Sequence, residues 1–223
     1  IGDGARVMAH YLNYIGGQWL NADTHIDVIN PASGQLYATI ASATISDADK
    51  AMAAARQCVN SGELNDIRPA MRTHWMLNAA QAIRDIADEG ALELCRENGK
   101  SLQDAKDEFL ESARYFEYYA GMADKLEGTS IPLGKDYIDF TQYVPMGVSV
   151  QIVPWNFPVS ICARSLAPAL AAGNAVVIKS PEISPVGMVY LIRALENCGF
   201  PKGSINLLCG KGSVIGNHLV EHA

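Results

Sequence analysis

Three short segments of this chain join an apolar run to residues able to do chemistry. The first is Gln151-Ile152-Val153-Pro154-Trp155-Asn156-Phe157-Pro158. Two prolines restrict the backbone around an asparagine set between aromatics, so the Asn156 carboxamide is expected in one orientation at the end of a strand. A donor that need not reorganise is what a developing oxyanion requires. The competing reading is that Asn156 only ties down its own loop. The second segment is Val176-Val177-Ile178-Lys179-Ser180-Pro181-Glu182, in which Lys179 and Glu182 leave an apolar strand together. They offer a donor and an acceptor to one ribose, or they form a surface ion pair worth about 0–1 kcal/mol. The third is Leu208-Cys209-Gly210-Lys211-Gly212-Ser213-Val214-Ile215-Gly216. Its glycines let a nucleotide approach the backbone at a strand-to-helix turn. The spacing is GxGxxxG rather than GxGxxG, a weak signal alone, so the case for a dinucleotide rests on all three segments.

The elements that must position these residues alternate. Residues 148–153, 175–178 and 204–208 read as strands, and 159–172, 185–197 and 214–221 as helices. That order implies an α/β, Rossmann-like parallel sheet with helical crossovers, whose ligands sit at the carboxyl ends of the strands. Upstream, 14–41 reads as a small preface of short strands broken by Gly16-Gly17 and by Asn30-Pro31-Ala32-Ser33-Gly34. A helix follows to Gln57, with Ser46 as its expected cap and Asp47 and Asp49 in its first turn. Three more helices are expected over 69–88, 90–98 and, capped by Ser101, to about Leu126. Phe109, Ala113, Phe116, Tyr119 and Ala120 recur on one face of the last, as core residues do. Residues 128–145, punctuated by glycine and proline, read as a β-hairpin arm that leaves the main body, with 137–143 as one strand.

Composition narrows the partners. With 18% charged residues and a formal net charge of −7, a nucleic acid is not expected. Apolar runs stop well short of the ~18–20 residues that span a bilayer, so no membrane partner is expected. Five cysteines, odd in number and without a CxxC pair, argue against a disulfide framework and for the cytoplasm. Cys162 and Cys209 both read as buried small hydrophobes. Residues 1–10 are expected to be a flexible start or an expression-vector remnant. His218-Leu219-Val220-Glu221-His222 has the HxxEH spacing of a zinc helix. No third ligand is visible, so the expectation is a solvated helix end and no metal.

Larger blocks carry a resemblance. Pro145-Met146-Gly147-Val148 with the Pro-Trp-Asn-Phe-Pro loop, then residues 167–174 (Ala-Pro-Ala-Leu-Ala-Ala-Gly-Asn), Val177-Ile178-Lys179-Ser180-Pro181-Glu182, Gly199-Phe200-Pro201 and Ile205-Asn206 resemble the aldehyde dehydrogenase superfamily. Tyr14-Ile15-Gly16-Gly17-Gln18-Trp19 is similar to that family's opening, so the resemblance spans about residues 11–223. It implies that Asn156 stabilises an oxyanion when a cysteine thiolate attacks an aldehyde, and that Lys179, Ser180 and Glu182 hold the adenosine ribose. It places Ile152, Val153, Pro154 and Trp155 along the cofactor cleft, Gly212, Ser213 and Gly216 on its adenine side, and Phe157 and Ile161 at the substrate tunnel.

The resemblance further implies an NAD(P)-binding domain over 11–127 and 146–223, incomplete at its C-terminal end, and a homo-oligomer, dimer or tetramer, formed through 128–145. The family's nucleophilic cysteine and general-base glutamate lie downstream of the glycine turn, so this chain by itself is expected to lack the catalytic domain and to be inactive. Glu182 near a ribose would repel a 2′-phosphate, which favours NAD over NADP. Two alternatives stay open: a non-catalytic half-protein that binds a nucleotide or a partner, and a CoA-acylating aldehyde dehydrogenase.

Overall fold

The computed structural model describes residues 8–222. Residues 1–7 of the expected flexible or vector-derived opening, and Ala223, lie outside the described residues. The chain begins with strands β1 (Ala9–Tyr11), β2 (Asn13–Ile15), β3 (Gln18–Leu20), β4 (His25–Asn30) and β5 (Gln35–Ala41). Gly16 and Gly17 take φ of 60° and 83° between β2 and β3, the backbone a two-residue hairpin turn demands. Ala9 and His10, set apart in the sequence reading, pair in β1 with Ala38 and Thr39 of β5. The expected preface divides: β1, β5 and β4 form one small sheet, whereas β2 and β3 join the main one. Side chains explain the division. Asn13 Oδ1 accepts from Cys209 N at 2.7 Å, and Asn206 Oδ1 accepts from Gly16 N at 2.9 Å, so two buried or half-buried amides sew β2 to the far end of the chain.

Helix α1 (Ile45–Ser61) is capped by Thr44, not by Ser46. Asp47 N donates to Thr44 Oγ1 at 3.3 Å and Thr44 N donates to the Asp47 carboxylate at 3.0 Å, a reciprocal capping box that leaves Ser46 inside the first turn. Helix α2 (Pro69–Asn98) runs unbroken for 30 residues where the sequence suggests two helices. Gly90 is a notch rather than a break: a Cβ there would stand 2.4 Å from the ring of Phe109. Helix α3 (Leu102–Ala120) is capped by Ser101, as expected, but stops at Gly121 rather than near Leu126. Phe109, Ala113, Phe116 and Ala120 are fully buried and Tyr119 is half-buried.

The arm follows as β6 (Ser130–Ile131) and β7 (Asp139–Phe140), which pair antiparallel over only two residues each, so the expected strand over 137–143 is shorter. After it the predicted alternation appears as β8 (Val148–Ile152), α4 (Pro158–Ala171), β9 (Ala175–Ser180), α5 (Val186–Leu195) and β10 (Ile205–Cys209), then a π-type turn over Gly212–Gly216 and α6 (Asn217–Glu221). The main sheet has the order β3-β2-β10-β9-β8. Strands β8, β9 and β10 are parallel, while β2 runs antiparallel to β10, so the sheet is mixed at one edge. Val176 and Ile178 face a core shared with α2, α3, α4 and α5; Val177 and Leu208 face a second core under α1. This alternation is the period of a strand covered on both faces. No described helix is long and apolar enough to cross a membrane.

The unbroken α2 has a testable consequence. Gly90→Ala gains helix propensity but drives a methyl into the Phe109 ring, and overpacking of this kind costs about 1–3 kcal/mol. Urea melts should show the variant destabilised; a stabilised variant would mean that the chain relaxes at Gly90 and that the two helical runs are separable.

Candidate functional site

The strand register brings the three segments together. Ile152 pairs with Lys179, and Lys179 with Leu208, so the carboxyl ends of β8, β9 and β10 lie side by side. Lys179 is 6% exposed and its Nζ lies 3.8 Å from the Glu182 carboxylate. Burial pulls its ammonium below the usual lysine range, with Glu182 and Cys209 opposing. Glu182 Oε1 also accepts from Gly212 N at 2.5 Å. A Cβ on Gly212 would stand 3.3 Å from that oxygen and 3.5 Å from Lys179 Nζ, so the lack of a side chain keeps this cradle open. The pair is therefore a built contact between the β9 and β10 ends, not a loose surface bridge. Ser180 is fully buried beside it, whereas Ser213 is exposed and Gly216 half-buried along the turn.

Asn156 sits on a loop tied down by other residues. Val153, buried, extends the ladder by donating to Lys179 O at 3.1 Å. Beyond it Pro154, Trp155, Asn156 and Phe157 are exposed, and Ile161, on α4, is half-buried. Asn98 Nδ2 donates to Trp155 O at 2.9 Å, and Lys100 Nζ donates to Asn156 O at 3.0 Å while standing 4.5 Å from the centroid of the Phe157 ring. The loop is thus held through its backbone carbonyls, and the Asn156 carboxamide has no hydrogen-bond partner among the described residues. Trp155 and Glu182 line one hollow of about 420 Å³ with Asn98, Ile183 and Ser184. Ile152 instead lines a different hollow along the outer edge of β8, with Val148, Val150 and Leu219.

Sequence reasoning missed the residues that hold these loops. Glu108 on α3 is 4% exposed, accepts from Val159 N at 2.8 Å and Ser160 N at 3.1 Å, and pairs with Lys100. Glu97 on α2 is 3% exposed and accepts from Val186 N and Gly187 N, both at 2.7 Å. Each carboxylate meets the free N–H groups at a helix start, which is where an anion is best placed. For Glu97 burial outweighs those bonds and pushes its carboxyl up to about 8. The only local signal was the run Arg96-Glu97-Asn98-Gly99-Lys100, with Gly99 ending α2 at a φ of 82°. The partners lie 51 to 90 residues away, beyond the reach of a motif. Cys162 and Cys209 are buried as expected, and burial pushes both thiols up to about 12, which leaves neither a ready nucleophile.

The donor and acceptor of Lys179 and Glu182, with the backbone opened at Gly212, fit the ribose end of a dinucleotide. The comparisons with known proteins decide the family. The model of the aldehyde dehydrogenase family matches residues 19–223. The chain belongs to the aldehyde dehydrogenase family. Among its relatives, retinal dehydrogenase 2 of Homo sapiens is 35% identical over 213 residues, which are 94% of this chain and 41% of that protein. The D-glyceraldehyde dehydrogenase (NADP(+)) of Thermoplasma acidophilum is 35% identical over 94% of this chain and 43% of its own length. The structure of the aldehyde dehydrogenase of Bacillus cereus in complex with NAD+ superposes with a TM-score of 0.92 at 32% identity, covering 96% of this chain and 44% of that one. The chain thus spans rather less than half the length of the relatives it matches.

Glu97 is expected to make the stability of the chain depend on pH. Its folded-state pKa of about 8 lies above the ordinary 4.5, so its contribution is fully present below 4.5 and is lost as pH rises through 8. Relative to wild type, Glu97→Gln should gain stability across that window. A difference between the two melts that stays flat with pH would show that Glu97 ionises as an ordinary carboxylate.

Proposed function

We propose that the protein oxidises an aldehyde to a carboxylic acid, with NAD as cofactor held by the β8, β9 and β10 ends. The observation that carries the proposal is the cradle of Lys179, Glu182 and Gly212 beside a loop that presents an uncommitted Asn156 carboxamide. Lys179 donates to one ribose hydroxyl and Glu182 accepts from the other. Val153, Pro154 and Trp155 line the cleft, with Ile152 at its rim, Ser180 lies beside the ribose pair, and Ser213 and Gly216 shape the turn on the adenine side. Bound NAD supplies the hydride acceptor. Asn156 donates to the carbonyl oxygen as negative charge develops there during attack by a thiolate, and Phe157 and Ile161 border the aldehyde. No cysteine of 1–223 is assigned that attack. Residues 1–223 are proposed to hold NAD.

Glu182 is the ground for NAD rather than NADP, because a second anion beside a 2′-phosphate is repulsive. One relative carries NADP(+) in its name and one solved relative holds NAD+, so the choice belongs to this residue in this chain. Residues 11–127 and 146–223 form the cofactor-binding domain in this reading. The 128–145 arm, with Ile138 at 92% exposure and Phe140 and Tyr143 also exposed, joins copies of the chain into a dimer or tetramer. A cytoplasmic location accords with five free thiols.

Two substitutions in the full-length protein test the assignment. Asn156→Ala should lower kcat about 10²- to 10³-fold, the usual cost of losing one oxyanion donor, with little change in the Kd for NAD; an unchanged kcat removes Asn156 from the oxyanion site. Glu182→Gln should weaken NAD and narrow its preference over NADP in competition titrations with the reduced cofactors. An unaltered ratio would place the discrimination elsewhere.

A further inference from the structure

Helix α6 carries His218, and His222 stands just past the helix end, four residues on, where the backbone turns extended. In sequence the pair lacks a visible third ligand, but the fold supplies one from the other end of the chain. Asp49, just past the first turn of α1 rather than in it as expected from a Ser46 cap, places Oδ1 2.6 Å from His218 Nε2 and 3.5 Å from His222 Nε2. The three donor atoms all lie within 4.8 Å of one another. The two imidazoles meet nearly at right angles, with centroids 5.6 Å apart, rather than stacking.

We propose that Asp49, His218 and His222 form a zinc-binding site that joins α1 to α6, with solvent completing the coordination. Zn–N and Zn–O bonds of about 2.0–2.2 Å put tetrahedral donors about 3.3 Å apart. The two Asp49–histidine separations, 2.6 and 3.5 Å, bracket that value. Two neutral imidazoles and one carboxylate are a donor set suited to Zn²⁺ rather than to Ca²⁺ or Mg²⁺, which take oxygen. The carboxylate offsets part of the ion's charge, which matters because Arg56 lines the same hollow as His222. Both histidines are about a quarter to a third exposed and Asp49 about half, so an ion can reach the site without opening the fold. The ion would act as a staple. Helix α6 leaves the Gly212–Gly216 turn directly, so fixing it to α1 also steadies the backbone that donates to Glu182.

A hydrogen-bonded Asp49–His218 pair alone would explain one of the two contacts, and metal uptake separates the readings. The full-length protein is stripped with a chelator and titrated with CoCl2, following the visible absorption of low-coordinate Co²⁺, and with ZnCl2 by calorimetry. The expected result is one equivalent bound per site, Zn²⁺ displacing Co²⁺, and a melting temperature raised by Zn²⁺. Asp49→Asn, His218→Ala and His222→Ala should each weaken uptake by at least about tenfold, while Glu221→Gln, on the same helix, leaves it unchanged. If His222→Ala fails to fold, the two more exposed positions carry the test. Absence of a saturable single equivalent in the wild type, or uptake undiminished in both Asp49→Asn and His218→Ala, would overturn the site.

Discussion

Two carboxylates taken almost wholly out of water govern this structure. Glu97 and Glu108 stand at the starts of α5 and α4, the helices that leave the ends of β9 and β8. An ionised carboxylate is costly to bury, and the cost is recovered only while its hydrogen bonds and any counter-charge stay in place. Glu108 has Lys100 as well as two N–H groups. Glu97 has the N–H groups and the Ser184 hydroxyl but no ion-pair partner among the described residues, and burial accordingly dominates it. Movement of α2 would cost Glu97 its partners and movement of α3 would cost Glu108 its own, so each helix is tied to one loop of the site.

That arrangement divides the work at the Asn156 loop. Lys100 and Asn98 grip backbone carbonyls, and Lys100 also lies over Phe157. The carboxamide of Asn156 therefore takes no part in its own restraint. A donor aimed at a developing charge is most effective when its surroundings, rather than the donor itself, keep it in place. The same economy appears at the glycine turn. Glu182 bridges the β9 end to Gly212, where a Cβ would crowd the carboxylate at 3.3 Å.

The mixed sheet has a parallel logic. Strand β2 reaches β10 across nearly the whole chain, and the amides of Asn13 and Asn206 bond backbone groups on the opposite strand. Membership of the aldehyde dehydrogenase family rests on a match over residues 19–223, a span that includes the two longest helices as well as the strand ends. Those helices are the scaffold on which the buried carboxylates are presented.

By itself the sequence determined the local units and their order: the alternation after Val148, the buried stripe through Phe109 and Phe116, the Ser101 cap, and the strand ends at Asn156, Lys179 and Gly212. These follow from periodicity, capping and turn chemistry within a few residues. Local rules also misjudged boundaries, placing a cap at Ser46 and a break beside Gly90, because they cannot see the Asp47 side chain folding back on Thr44 or the Phe109 ring filling a glycine notch. Only the tertiary structure decided that β2 and β3 leave the small sheet, that Glu97 and Glu108 hold the site loops, and that Asp49 faces His218. Each of those contacts joins residues 51 to 196 positions apart. At such separations a pairing depends on how whole elements pack, and no spacing along the chain encodes it.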